Sequence, residues 1–233
     1  MSERERSGPS TIAVPILYRD FKWYGSAKGN GHPDFEIESF KGGRVSKGLV
    51  KPQLDAEGKP ELLSTSGTIW CNPANYPTSE GPPVPCNPAI AAYDRNTNAG
   101  NFAQWYRNVA NINMPIAGTL NMSLANGAYV YDSAIVCPGG SCTLGGFYPL
   151  NNQGFGNDEV TDQGGAYSAI SKVRNFHFTS ELRYPFTYQG DEQLDFRGDD
   201  DVWVFINGKL AVDIGGLHAR VADGVKLDAA KAA

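Results

Sequence analysis

No stretch of this chain approaches the roughly 20 consecutive apolar residues that a membrane-crossing helix needs, so a helical span is excluded within these 233 residues. The first ten residues, MSERERSGPS, lack the apolar centre of a secretory signal. Export would therefore need a leader that has been removed or lies outside this chain. Positive charge is not in excess either. Twenty Lys and Arg stand against 25 Asp and Glu, net −5, with no basic cluster. Such a chain offers no electrostatic footprint for a phosphate backbone or an anionic membrane, which argues against nucleic acid as a partner. The catalytic patterns G-x-S-x-G, H-E-x-x-H and the phosphate-binding glycine loop are missing as well. Paired carboxylates can hydrolyse glycosides, but consecutive ones in a single loop are poorly placed for it, and a non-catalytic protein is expected.

Cysteine is scarce, and its four positions are informative. Cys137 and Cys142 bracket Pro-Gly-Gly-Ser, while Cys71 and Cys86 bracket a loop holding five prolines. Pairing Cys71 with Cys86 and Cys137 with Cys142 closes the shortest loops at the lowest entropy. The spacings suit a four-cysteine zinc site poorly. Two local disulfides are expected, and with them an oxidising, extracellular setting. The three histidines, His32, His177 and His218, lie too far apart in sequence to argue for a joint zinc site.

What is abundant is glycine (27), proline (15) and aromatic residues (11%), a composition that suits many short strands joined by turns. Residues 1–10 read as a loose tail, and residues 11–233 as a single domain with no visible repeat or linker. Ile12, Val14, Ile16 and Tyr18 alternate as in a strand over 11–21. Residues 22–67 are loop-rich. HPDFE (32–36) is expected to lock this region, with Asp34 binding amides ahead of Phe35. Phe102, Trp105, Tyr106 and Val109 fall at helical spacing and predict one short helix over 101–112, capped by Asn101, its apolar stripe lying on a sheet. Further strands are expected at 119–124, 128–131, 175–179, 185–188, 193–196, 202–206 and 210–214, a spacing that indicates a sandwich or barrel. The clearest local signal is VWVFINGKLAVDI. It reads as a strand apolar on both faces, like a central strand covered on both sides, then Asn207-Gly208 in a type I′ turn, then a half-buried return strand. Trp23, Tyr24, Trp70 and Tyr76 read as loop aromatics, suited to stacking on sugars or to packing inward. Asn121-Met122-Ser123 matches a glycosylation sequon, which would carry little meaning in a bacterium.

Three carboxylates, Asp199, Asp200 and Asp201, stand directly before that strand. Their mutual repulsion at a partly buried loop costs several kcal/mol unless a cation intervenes. A hard divalent ion such as Ca²⁺ accepts adjacent carboxylates, backbone carbonyls and Asn oxygens as ligands. The residues alone fit a solvated, self-capping turn equally well.

With RGDDDVWVFINGKLAVDIGGLH (197–218) assembled, the chain resembles the fibro-slime domain family of bacterial extracellular proteins. YRDF (18–21), HPDFE, GLVKPQLDAEGKPEL (48–62), FAQWYRNV (102–109), FYPLNNQGFGN (147–157) and NFHFTSEL (175–182) carry the likeness in that order. The later half is similar in turn to the protective-antigen-like lectin sandwich. The resemblance implies an all-β, jelly-roll-like sandwich with loop-rich insertions. It further implies Ca²⁺ at Asp199 and Asp200, with Asp201 as a lesser ligand, and a carbohydrate held nearby. GGLH (215–218) could bring His218 back toward the aspartates, where a structural or supporting role is expected of it; the carbohydrate's position is unassigned, with His218 and Asn207 as its candidate neighbours. The function implied is a secreted or cell-surface, calcium-dependent carbohydrate-binding or adhesin module recognising a surface or matrix glycan. The alternative is a structural matrix or appendage subunit in which calcium only stiffens the fold. The family continues past Gly-Gly-x-His into further strands, whereas this sequence stops at LDAAKAA. It therefore reads as truncated at its C-terminal strands, with a partner chain or segment expected to complete the sheet.

Overall fold

The computed structural model describes residues 8–22, 31–35, 45–65, 67–71, 83–85, 97–133, 146–159, 173–198, 201–216, 218 and 220–228. In chain order these form β1 (Thr11–Phe21), β2 (Val45–Lys47), β3 (Thr68–Cys71), β4 (Val84–Pro85), α1 (Ala99–Trp105), β5 (Asn113–Ala125), β6 (Ala128–Val130), β7 (Asp158–Glu159), β8 (Val173–Arg174), β9 (Phe178–Leu182), β10 (Gln193–Gly198), β11 (Val202–Ile206), β12 (Lys209–Ile214) and β13 (Val221–Lys226). Every pairing between these strands is antiparallel. The fold class is all-β and sandwich-like, with one short helix. The residues group into two compact units: 1–31 with 108–185, and 32–107 with 186–233.

The first unit is built on a sheet of order β6-β5-β1-β9. Alternation along β1 sends Val14, Ile16, Tyr18 and Asp20 to one face, where all four are buried. Ile16 and Tyr18 pack with Leu150, and Ile116, Phe147 and Phe178 close around them. The β5–β6 hairpin turns on Asn126 (φ 51°) and Gly127 (φ 81°), joined by the pair Ala125–Ala128. This is the same type I′ chemistry as Asn207-Gly208.

In the second unit, β11 and β12 form the expected hairpin, with Asn207 at φ 49° and Gly208 at φ 77°. The pairing steps from Val204–Val212 to Phe205–Leu210, leaving Ala211 as a bulge. Residues Pro52 and Leu54 brace the turn: Leu54 N–H donates to the Gly208 carbonyl, and Leu210 N–H to that of Pro52. The core gathers Val45, Val212, Ile214, Val221, Val225 and Leu227, with Val202, Val204 and Ile206 packed on it. On the other face of β11, Trp203 meets Phe102 and Trp105 of α1 at ring centroids of 5.8 and 6.5 Å. The helix stripe does lie on a strand. β11 is half-buried along its length, and among the described residues its one strand partner is β12, so it is covered on both faces without lying central in a sheet.

Several expectations need correcting. The helix begins and ends earlier than 101–112, because Asn98 and not Asn101 caps it, its side chain accepting from Asn101 N–H at 2.9 Å. After Tyr106 the backbone leaves helical geometry, and the Val109 carbonyl takes the Ile112 and Asn113 amides in a turn with Asn111 at φ 66°. No strand forms over 185–188. There the chain has no ladder partner among the described residues, and Tyr188 packs on the core. Trp70 is not in a loop but in β3, packed on the core with Lys47 Nζ 4.5 Å from its ring centre. Beyond the Gly-Gly turn a further strand, β13, pairs with β10. The cysteine pairing lies largely outside the described residues: Cys71 has its backbone in β3, and Cys86, Cys137 and Cys142 are beyond them.

Candidate functional site

Of the acidic triplet, Asp199 and Asp200 lie outside the described residues, and Asp201 ends the loop just before β11. The Asp201 carboxylate accepts the Gly216 N–H. Gly216 sits at φ 96°, a conformation natural to glycine alone. Its neighbour Gly215 is packed so closely that an added Cβ would come within 2.8 Å of the Ser46 carbonyl and 3.0 Å of the Trp203 ring. Ser46 N–H in turn donates to the Gly215 carbonyl at 2.6 Å. The Gly-Gly turn is thus seated on β2 and reaches back to the acidic loop, and His218 beyond it is only 3% exposed. Asn207 is elsewhere. The five residues of extended β11 hold it about 20 Å from Asp201, so the two do not share a site.

A second carboxylate stands deeper in the same unit. Asp213, paired across the hairpin with Trp203, accepts the Trp203 indole N–H at 3.0 Å and the Gly48 amide at 2.7 Å. Burial pushes its carboxyl above the ordinary value of 3.8, and the Gly48 and Trp203 donors and Lys47 offset only part of that. A raised folded-state value means that the folded chain takes up this proton first. The contribution is present in full below the ordinary value and is lost as pH rises through the raised one. An NMR titration of the Asp213 side chain should accordingly show a midpoint above 3.8; a midpoint at or below it would refute the burial argument.

The motifs that carry the resemblance fall into two groups, one in each unit. In the first, Asp20 of YRDF is fully buried and accepts the Asn175 amide at 2.8 Å and the Phe155 N–H. Gly154, at φ 60°, leaves the space that Asp20 fills, and Asn151 accepts the Asn175 N–H. Phe21 N–H donates to the His177 carbonyl. In the second unit, Asp34 of HPDFE accepts from the Thr97 hydroxyl at 2.6 Å, the Trp105 indole at 2.9 Å and the Asn101 amide at 3.3 Å. It locks the loop as expected, though to the helix and not to amides ahead of Phe35. Arg107 reaches Asp55 and Glu57 of the LDAEGK turn.

Sequence reading missed the Asp20 and Asp213 locks, and for Asp34 it missed the partners, Thr97, Asn101 and Trp105. The one available signal was a lone acid inside or beside an apolar run. Among the described residues, no group of three or more His, Cys, Asp or Glu side chains comes together as a metal cage would require. One oxygen of Asp201 is already committed to Gly216. A calcium ion would therefore depend chiefly on Asp199 and Asp200.

No protein-family model matches the chain, and no solved structure matches it. Among curated proteins it is similar to Protein psiD of Dictyostelium discoideum, 33% identical over 196 residues, which is 84% of this chain and 32% of that protein. Protein psiH of the same organism is 35% identical over 191 residues, 81% of this chain and 23% of that one. The chain thus spans a third or less of the curated relatives it matches, and most of this chain is similar to a portion of these Dictyostelium discoideum psi proteins.

Proposed function

We propose that the chain is a non-catalytic extracellular module that binds carbohydrate through a calcium ion held by the acidic loop before β11, as its resemblance to fibro-slime and protective-antigen-like domains implies. The observation that supports this most is the Asp201–Gly216 bond. It fixes Asp201 against a turn seated on β2, so the mutual repulsion of three adjacent carboxylates is not relieved by moving Asp201 away. A hard cation relieves it instead. Asp199 and Asp200 would hold the ion, with Asp201 as a lesser ligand. When bound, calcium supplies open positions for vicinal sugar hydroxyls.

Thermal unfolding with calcium and with chelator tests the metal. At calcium 100-fold above its Kd the fold should gain about 2.7 kcal/mol, and Asp200→Asn should abolish most of that gain. An unchanged melting temperature leaves the triplet as a capped turn. A glycan array then separates the two readings of a calcium-binding chain. Binding lost on chelation supports the lectin. Calcium-dependent stability without glycan binding supports a structural matrix subunit, a reading favoured by the outer strand β9, which pairs only with β1 among the described residues.

A further inference from the structure

We propose that Asn121 is a site of N-linked glycosylation. Asn121-Met122-Ser123 is the single N-x-S/T sequence in the chain. It lies inside β5, where the two-residue period of a strand turns Asn121 and Ser123 to one face and Met122 to the other. Met122 pairs with Ile12, and both are half-buried. The Asn121 face is different in character. Its cross-strand pairs are Asn121–Ala13, Ser123–Thr11 and Thr119–Pro15, and all six residues are exposed. These six residues carry no charge and no aromatic ring, and their exposure leaves Asn121 open to a substituent over the strand. Asn121 makes no side-chain hydrogen bond among the described residues, although asparagine is otherwise depleted in strands. The sequon carries little meaning in a bacterium, but the relatives named above belong to a eukaryote.

The modification joins the Asn121 side-chain nitrogen to C1 of the reducing sugar of a polyprenyl-diphosphate-linked oligosaccharide. The C1–oxygen bond breaks, the diphosphate leaves with its electron pair, and the amide proton passes to a base of the transferase. Transfer takes place on the unfolded chain during export. The fold has only to tolerate the product, and the exposure of the paired β1–β5 residues around Asn121 allows that. A glycan there would keep this face from packing on another protein, leaving strand edges for any assembly.

The inference shares only the extracellular location with the carbohydrate-binding reading. The protein purified from the cells that make it is digested, and the peptide containing Asn121 is weighed before and after an amidase that cleaves the asparagine–sugar bond. Hexose and N-acetylhexosamine increments removed by the amidase are expected. The same chain exported from eukaryotic cells behind a leader should lose the increment in Asn121→Gln and Ser123→Ala and keep it in Ser123→Thr, with unchanged melting temperatures. An unmodified Asn121 in the native protein overturns the proposal, even if chelator-sensitive glycan binding persists. A glycosylated Asn121 without glycan binding sinks only the lectin reading.

Discussion

Asp20→Asn should cost the first unit about 3 kcal/mol, although the substitution is nearly isosteric. Two partners of the carboxylate, the Asn175 amide and the Phe155 N–H, are donors. An asparagine oxygen can satisfy one of them, and its NH₂ then faces the other, leaving buried donors opposed where no water reaches. The loss is felt across the unit because Asp20 joins β1 to the 151–157 loop and to the segment leading into β9. Gly154→Ala should act through the same carboxylate, since an added Cβ would occupy the space of the Asp20 oxygen at a φ that already disfavours alanine. The double variant should therefore lose less than the sum of the two. Denaturant titration checks both, with Asp195→Asn on exposed β10 as a control expected within about 0.5 kcal/mol of the parent. An Asp20→Asn protein as stable as the control would show that the network is dispensable.

Phe102→Ala should be at least as severe, about 3 to 5 kcal/mol. Phe102 is the buried residue of α1, 2% exposed, with its ring 5.0 Å from Trp105, 6.1 Å from Tyr106 and 5.8 Å from Trp203. A seven-residue helix has too few internal hydrogen bonds to stand alone and owes its stability to this packing. Removing the ring opens a void beneath two tryptophans, so the near-ultraviolet circular dichroism should weaken even below the unfolding transition. Phe102→Leu, which fills much of the same volume, should recover most of the stability. A Phe102→Ala variant with parental stability and an unaltered aromatic signal would mean that the helix is held by Asp34 alone.

Expectations from sequence succeeded where a few adjacent residues decide the outcome. The β1 bounds, the β11 bounds and the Asn207-Gly208 turn all follow from alternation and from the positive φ that Asn-Gly accepts. The helix bounds did not, because Asn98 and Asn101 are equally good caps by type. Asn101 is drawn instead to Asp34, 67 residues away. The candidate site divides the same way. The acidic triplet is plain in the sequence, and so is a glycine turn able to return to it. That Asp201 would hold Gly216 is not.

The sequence by itself determined the all-β class, the principal hairpin and the strand that bears Asn121, since side-chain period and turn chemistry act over two to six residues. Only the tertiary structure decided where the buried and half-buried carboxylates find their donors. Asp20, Asp34 and Asp213 each take their donors from segments as distant as 155, 71 and 165 residues. The stabilisation of a buried charge is set by the donors that surround it, and no local pattern names those.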